Sequence, residues 1–330
     1  MTKKTSSPMK ESPLFWPAEI KGGAMHVLDE TLIPEKVKYI KVTTAREAVK
    51  VIRDMKTRAF GQFLVVLNSF LLELNNKKLS DKQLVQRLQT TAEMLNKSRP
   101  TFPFAEVTSV VVMWAQAALQ QKQDVRAFVG RNIQGYLMGI RGRRMERVQN
   151  IAKLIKNGDS VLTHCNVSGE LAMAAALCQQ QKKKVKFFAT ETRPYFQGAK
   201  LTLWELELVG ADVTLIADNA VASVMSDDMV NKVIVGSDRN CANGDFANKI
   251  GTYQIAVLAR EFKIPFYVLT QPSNKIKKGS DIPIEVRDGN ELLKFKNKRT
   301  MPKGVEGFYP GFDVVPHTLV TKTVPIEAGA

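Results

Sequence analysis

The hydrophobic period of this chain changes partway along it, and that change limits the possible folds more than any other feature. From Thr44 to about Lys156 apolar residues recur at helical spacing, with long amphipathic stretches at 61–77, 80–96, 105–122 and 135–156. The texture switches at Asn157-Gly158-Asp159. Short β-branched runs then follow at Ser160 to His164, Val185 to Ala189, Asp212 to Ala217, Lys232 to Gly236 and Pro265 to Leu269. Helical segments fill the gaps, at about 169–181, 199–208, 219–226 and 246–262. Strands separated by helices pair in parallel, because each helix returns the chain to the starting edge of the sheet. The expected fold is α/β: a Rossmann-like parallel sheet domain at 157–330, preceded by a mainly helical N-terminal domain at 1–156 with a small β element. That element falls in 14–43, where Val37 to Val42 is of β type, and the polar residues 1–13 are expected to fray. Thr44 is an expected helix cap, with Glu47 as its capping-box partner.

Composition removes several functional classes. No apolar run reaches the roughly 18 residues that span a bilayer, and no apolar signal core follows the N-terminal lysines. A cytoplasmic protein is expected. The three cysteines, Cys165, Cys178 and Cys241, form no CxxC and have no histidine at ligand spacing, so neither a disulfide framework nor a zinc site is indicated. There is no GxGxxG and no GxxxxGK[ST], so no nucleotide cofactor is indicated, and no metal or organic cofactor is expected. What stands out is charge: 48 Lys+Arg against 32 Asp+Glu, a net +16. An excess of this sign points to an anionic partner, whether nucleic acid, acidic lipid or a phosphorylated substrate. Arg141, Arg143, Arg144, Arg147, Lys153 and Lys156 make a basic helical stretch, but no RNA-binding signature accompanies them. A solvated face is the expected reading there, and nucleic acid is not an expected partner.

In parallel α/β sheets ligands bind beyond the carboxyl ends of the strands. Five segments fall there. The first strand runs into Thr163-His164-Cys165-Asn166, where Cys165 is either a nucleophile or proton carrier, or a small buried residue with no chemistry. The fourth runs into Gly236-Ser237-Asp238-Arg239, where Asp238 is either a general acid–base or a turn and cap residue. Asp218, after the third strand, is expected to cap a helix. Asn243 to Thr252, with Asn248 and Lys249, reads as a helix start that can receive an anion. In Glu191 to Lys200, Arg193 is expected to be scaffold, paired with Glu191, while Gln197 either bonds a ligand oxygen or caps the next helix.

These segments together resemble one family. The matching residues are Leu162 to Asn166, Glu191 to Leu206, Leu215 to Asn219, Val235 to Tyr253 and Ile264 to Val268, with Leu28 to Pro34, Ala48 to Met55 and Lys97 to Thr101 in the N-terminal half. The resemblance is to S-methyl-5-thioribose-1-phosphate isomerase, in the wider group that holds ribose-1,5-bisphosphate isomerase and the alpha, beta and delta subunits of translation initiation factor 2B. It implies an aldose–ketose isomerase of methionine salvage that acts on a phosphorylated pentose as a homodimer. It implies a catalytic pair, matched by Cys165 and Asp238, and substrate and phosphate contacts, matched by Arg58, Arg99, Gln197, Asn248 and Lys249. A sibling isomerase acting on 5-deoxyribose 1-phosphate or ribose 1,5-bisphosphate, and a non-catalytic regulatory subunit, are the alternatives.

Three departures stand out. Arg58-Ala59-Phe60-Gly61-Gln62 replaces the family's Arg-Gly-Ala-Pro-Ala loop, losing a glycine next to the arginine. Asn166-Val167-Ser168-Gly169-Glu170 brings a carboxylate toward the site, where it would oppose a second phosphate. The sequence also stops soon after Phe312 to Pro316, where the family continues.

Overall fold

A computed structural model describes residues 10–100, 102–271, 275–295 and 298–326. The terminus expected to fray lies, through residue 9, outside the described residues. The part that is described does not fray: Ser12 is buried, and its hydroxyl donates to Glu205 at 2.8 Å. Two compact units divide the chain. One is Pro13–Gly142, and the other takes the described residues from Arg143 onward with those before Pro13.

The first unit opens with an antiparallel sheet of β1 (Ala18–Lys21), β2 (Ala24–Leu28) and β3 (Tyr39–Val42). Then come α1 (Ala45–Arg53), α2 (Ala59–Leu74), α3 (Asp81–Ser98) and α4 (Phe104–Gln120), with the 30-residue α5 (Val125–Leu154) crossing the boundary. Thr44 caps α1 by accepting the Glu47 N–H at 3.2 Å, while the Glu47 carboxylate reaches the Thr43 N–H at 2.7 Å. α2 is apolar on nearly every face, as a helix at the centre of a bundle must be. Its Leu64, Val65, Leu67 and Phe70 pack with Leu84, Leu88 and Leu95 of α3 and with Val111 and Ala115 of α4.

The second unit holds β4 (Ser160–Thr163), α6 (Glu170–Gln180), β5 (Lys186–Thr190), a π-helical turn Gly198–Thr202 leading into α7 (Leu203–Leu208), β6 (Asp212–Ile216), α8 (Val221–Ser226), β7 (Lys232–Val235), β8 (Arg239–Asn240), β9 (Phe246–Lys249), α9 (Thr252–Glu261), β10 (Phe266–Thr270), β11 (Val286–Arg287), β12 (Lys294–Phe295), β13 (Lys298–Arg299), β14 (Tyr309–Pro310), β15 (Phe312–Val315) and β16 (Lys322–Pro325). The main sheet is all parallel, in the order β16-β10-β7-β4-β5-β6. Numbered by appearance within that sheet, this is the 3-2-1-4-5-6 order of dinucleotide-binding folds.

Three details differ from the sequence reading. β16 was not foreseen, because it is a mostly exposed edge strand ending in proline and so carries no apolar run. Residues 246–262 are not one helix: β9 pairs antiparallel with β15 and β8, and Gly251, at φ +103°, breaks the chain before α9. Pairing with a distant strand overrode a local helical pattern there. The compact units divide at Gly142 and Arg143, whereas the hydrophobic texture changes at Asn157.

Part of the positive charge now has a structural address. The carboxyl end of α5 receives two lysines: Lys183 Nζ donates to the carbonyls of Ala152 and Ile155, both at 2.7 Å, and Lys232 Nζ to that of Leu154 at 2.8 Å. Cations at a helix C-terminus complement its unpaired carbonyls and its dipole.

Candidate active site

The order of connections reverses between β4 and β7, which are neighbours in the sheet. A reversal of this kind opens a crevice at the carboxyl edge of the sheet. Cys165 lies just beyond β4 and Asp238 just beyond β7, so the topology places both at that reversal. The two loops touch. A Cβ on Gly236 would sit 2.9 Å from Val167 Cγ1, so the glycine lets the segment after Cys165 lie against the one before Asp238. Asp238 is exposed, and its N–H donates to the Ala247 carbonyl on β9 at 2.8 Å.

Cys165 has φ +63°, in the left-handed region that non-glycine residues enter at a cost of about 1–2 kcal/mol. Hydrogen bonds on both sides of the residue hold it there. Its N–H donates to Thr192 Oγ1 at 3.0 Å, and its carbonyl accepts from Thr202 Oγ1 at 2.5 Å. The next side chain, Asn166, donates to Thr202 Oγ1 at 3.0 Å and to the buried Glu205 carboxylate at 2.6 Å.

The loop after β5 is also in strained backbone, with Thr192 at φ +62° and Phe196 at +60°. Asp218 does not cap a helix. It accepts the N–H groups of Thr192 and Arg193, at 2.6 and 2.8 Å, and so braces this loop. Arg193 is scaffold, as expected, though through a different contact: it donates to the Leu292 carbonyl at 3.3 Å and lies over the Phe196 ring. Gln197 opens the π-helical turn, and its buried Oε1 has no hydrogen-bond partner among the described residues.

Asn248 and Lys249 are both buried on β9, not at a helix start. The amino end of α9 is already filled by a carboxylate of the same unit, since Asp313 accepts the N–H groups of Gly251 and Tyr253 at 2.7 and 3.0 Å. Lys249 Nζ sits among three rings, 5.3 Å from Phe312, 5.5 Å from Tyr195 and 6.0 Å from Tyr309, with the Tyr309 hydroxyl at 3.4 Å. The ring faces stabilise an ammonium there.

No sequence motif singles out His164. It is buried, only 2% exposed, and burial pushes its pKa below the ordinary histidine value. Its Nδ1 lies 2.6 Å from Thr190 Oγ1 and its Nε2 2.8 Å from the Ile250 carbonyl.

Arg58 and Arg99 belong to the helical unit, where one network holds both. Arg58 Nε donates to the buried Glu30 at 2.8 Å, and Thr57 Oγ1 donates to the same carboxylate at 2.5 Å. The buried Gln62 donates to the Thr57 carbonyl at 2.9 Å and accepts from Arg99 Nη1 at 2.8 Å. The close approach absent next to Arg58 appears instead at Gly61, where a Cβ would collide with Thr57 Oγ1 at 1.7 Å. Phe60 packs on Trp16 and Phe63 as part of the surrounding core.

The basic stretch on α5 is not simply a solvated face. Arg144 and Arg147 are buried, 3% and 6% exposed, and both pair with Glu170, which is wholly buried. Arg147 makes a forked contact, Nε and Nη2 to the carboxylate at 2.5 and 2.6 Å, while Nη1 donates to the Thr270 carbonyl at 2.8 Å. Arg144 Nη2 donates to the Ser168 carbonyl at 2.6 Å. These contacts explain why the end of α5 packs with the α/β unit. They also correct the electrostatic expectation for Glu170: its charge is neutralised by two guanidinium groups and offers no free carboxylate to repel a second phosphate.

Among the described residues no cluster of histidine, cysteine and carboxylate side chains is arranged to hold a metal ion, and no helix is long and apolar enough to cross a membrane. Residues 60–329 match the model of the initiation factor 2 subunit family. The chain belongs to that family. Among curated proteins it is similar to a methylthioribose-1-phosphate isomerase of Desulforudis audaxviator, 37% identical over 96% of this chain and 93% of that protein. It is equally similar to a 5-deoxyribose 1-phosphate isomerase of Moorella thermoacetica, 37% identical over 95% of this chain and 92% of that protein. Among solved structures, 5-methylthioribose 1-phosphate isomerase from Pyrococcus horikoshii OT3 superposes with TM-score 0.86 at 29% identity, covering 98% of this chain and 94% of that one. The delta subunit of translation initiation factor eIF-2B from A. fulgidus superposes with TM-score 0.83, also at 29%, covering 94% of each chain. Within the initiation factor 2 subunit family, then, the fold alone does not separate isomerase from translation factor.

Proposed function

We propose that this chain converts S-methyl-5-thioribose 1-phosphate to S-methyl-5-thioribulose 1-phosphate, with Cys165 and Asp238 as the reacting pair. The broader activity is that of an aldose–ketose isomerase acting on a sugar phosphate, as the curated relatives' names agree. The observation that carries the finer reading is the position of Cys165 and Asp238 at the β4–β7 reversal, on loops that touch.

A phosphate on the anomeric oxygen blocks spontaneous ring opening. The enzyme therefore has to protonate the ring oxygen, move hydrogen from C2 to C1 and remove the proton from the C2 hydroxyl. The balance closes within the substrate and needs no external oxidant or reductant. Two acid–base groups on opposed loops suit it, one for each oxygen or one for carbon. Lys249 and Asn248 are proposed phosphate ligands, and the family resemblance proposes a phosphate-binding role for Arg58 and Arg99 as well. Gln197, whose Oε1 lacks a donor among the described residues, is proposed to accept a hydrogen bond from a sugar hydroxyl. Fixing the phosphate in this way orients C1 and C2, which lowers the barrier by several kcal/mol, on the order of other intramolecular effects.

A second substrate, 5-deoxyribose 1-phosphate, is favoured by one observation: the Moorella relative is as similar as the methylthioribose-1-phosphate isomerases. Phosphorus NMR of purified protein mixed with each of methylthioribose 1-phosphate, 5-deoxyribose 1-phosphate and ribose 1,5-bisphosphate tests both readings. Turnover is expected to be fastest with the first. Faster turnover of either other sugar would reassign the substrate, and turnover of none would leave a non-catalytic member of the family.

A further inference from the structure

His164 sits between the loop that carries Cys165 and the strand that carries Asn248 and Lys249. The polarity of its contacts can be worked out. A carbonyl only accepts, so Nε2–H donates to Ile250 at 2.8 Å. The ring is neutral in its buried site, so Nδ1 has no proton and accepts from the Thr190 hydroxyl at 2.6 Å. Thr190 Oγ1 can then accept from the Thr192 hydroxyl at 3.3 Å, and Thr192 Oγ1 accepts the Cys165 N–H at 3.0 Å. The donors all run one way, from the Cys165 backbone through two threonines to the imidazole, and from the imidazole on to the residue after Lys249.

The packing leaves no slack around this chain. A Cβ on Gly251 would lie 3.1 Å from His164 Cε1, so the glycine admits the ring edge. A Cβ on Gly198 would lie 1.9 Å from the Thr190 carbonyl oxygen, which fixes Thr190 against the turn that Gln197 opens. Thr192, at φ +62°, is a β-branched residue in a conformation that its contacts must maintain.

We propose that His164 is a positioning residue with two separable tasks: through Nδ1 and the threonines it holds Cys165 in its left-handed conformation, and through Nε2–H it sets the turn after Asn248 and Lys249. Its effect on catalysis rests on the isomerase reading, whereas its effect on Cys165 does not. The two tasks belong to two ring nitrogens, so two substitutions separate them. The amide of His164→Asn reaches the place of Nδ1 and leaves Ile250 unmet. The amide of His164→Gln reaches the place of Nε2 and leaves Thr190 unmet.

The test measures kcat and KM for the sugar phosphate that wild type turns over, together with the rate at which iodoacetamide alkylates Cys165, followed by peptide mass mapping. His164→Asn is expected to raise KM about tenfold while kcat and the alkylation rate stay near wild type. His164→Gln is expected to keep KM, lower kcat about tenfold and change the alkylation rate severalfold. Parallel changes in both variants, tracking only their loss of thermal stability, would overturn the proposal, as would wild-type behaviour in both. If wild type turns over none of the sugars, the isomerase reading fails. The alkylation arm still decides the Cys165 task, with equal rates in the two variants counting against it.

Discussion

Glu170 accepts two hydrogen bonds from the Arg147 guanidinium, at 2.5 and 2.6 Å, in a site where the carboxylate is wholly buried and the arginine nearly so. Removing one partner strands the other charge. Glu170→Ala is expected to cost about 3–5 kcal/mol of stability, because Arg144 and Arg147 then stay buried without a counter-ion. The triple variant Glu170→Leu with Arg144→Met and Arg147→Met, which removes all three buried charges, should cost much less than the single one. Urea denaturation of the three proteins checks this.

Two glycines provide a contrast in backbone space. A Cβ at Gly198 meets the Thr190 carbonyl at 1.9 Å, a backbone atom that cannot swing aside. Gly198→Ala should cost about 1–3 kcal/mol by overpacking, and should lower kcat because Thr190 holds His164. A Cβ at Gly142, within α5, meets nothing within 4 Å. Gly142→Ala should stabilise by about 0.5–1 kcal/mol, the helix propensity difference. Calorimetric melting of both variants should show shifts of opposite sign.

Acid should weaken the fold through His164. Burial is the main cause that lowers its pKa, and the nearby Lys249 charge acts the same way; the Ile250 hydrogen bond, Asp218 and Asp313 oppose them. Between the depressed folded value and about 6.5, the unfolded chain binds a proton that the folded chain does not. Stability contributed by the neutral ring is therefore complete above about pH 6.5 and is lost as pH falls toward the folded value. Denaturation midpoints at pH 8, 6.5 and 5 should decline below 6.5, and His164→Gln should remove that part of the decline.

The phosphate grip should show mainly in KM. Lys249→Met removes the ammonium from its ring-lined site, and about a 10- to 100-fold rise in KM is expected, the size of a charged hydrogen bond. Lys249→Arg should not rescue it, because a planar guanidinium does not fit a space formed around a compact ammonium. Steady-state kinetics on the preferred sugar phosphate measure both.

How much of this was legible in the sequence depended on range. β4, β5, β7 and β10 read within a residue or so, because buried parallel strands are short β-branched runs between helices, and the mostly exposed edge strand β6 reads from its β-branched run and spacing. β9 was misread as helix, since its identity comes from pairing with β15, far along the chain. Strand-end position picks out Cys165 and Asp238, whereas Lys249 reads as part of a helix start and lies instead on β9; the roles proposed for these residues and for Gln197 rest on family resemblance. His164 was passed over: its importance lies in contacts with Thr190 and Ile250, and no local pattern around it signals a buried neutral ring. Arg144 and Arg147 looked solvated for a similar reason, since the carboxylate that buries them belongs to a different helix.

The central claim is that chemistry occurs between Cys165 and Asp238 at the β4–β7 reversal. Its most direct test is turnover of methylthioribose 1-phosphate by Cys165→Ser and Asp238→Asn, each with thermal stability close to wild type. The account predicts that both variants lose nearly all turnover while the fold persists. Near wild-type rates in either variant would contradict it.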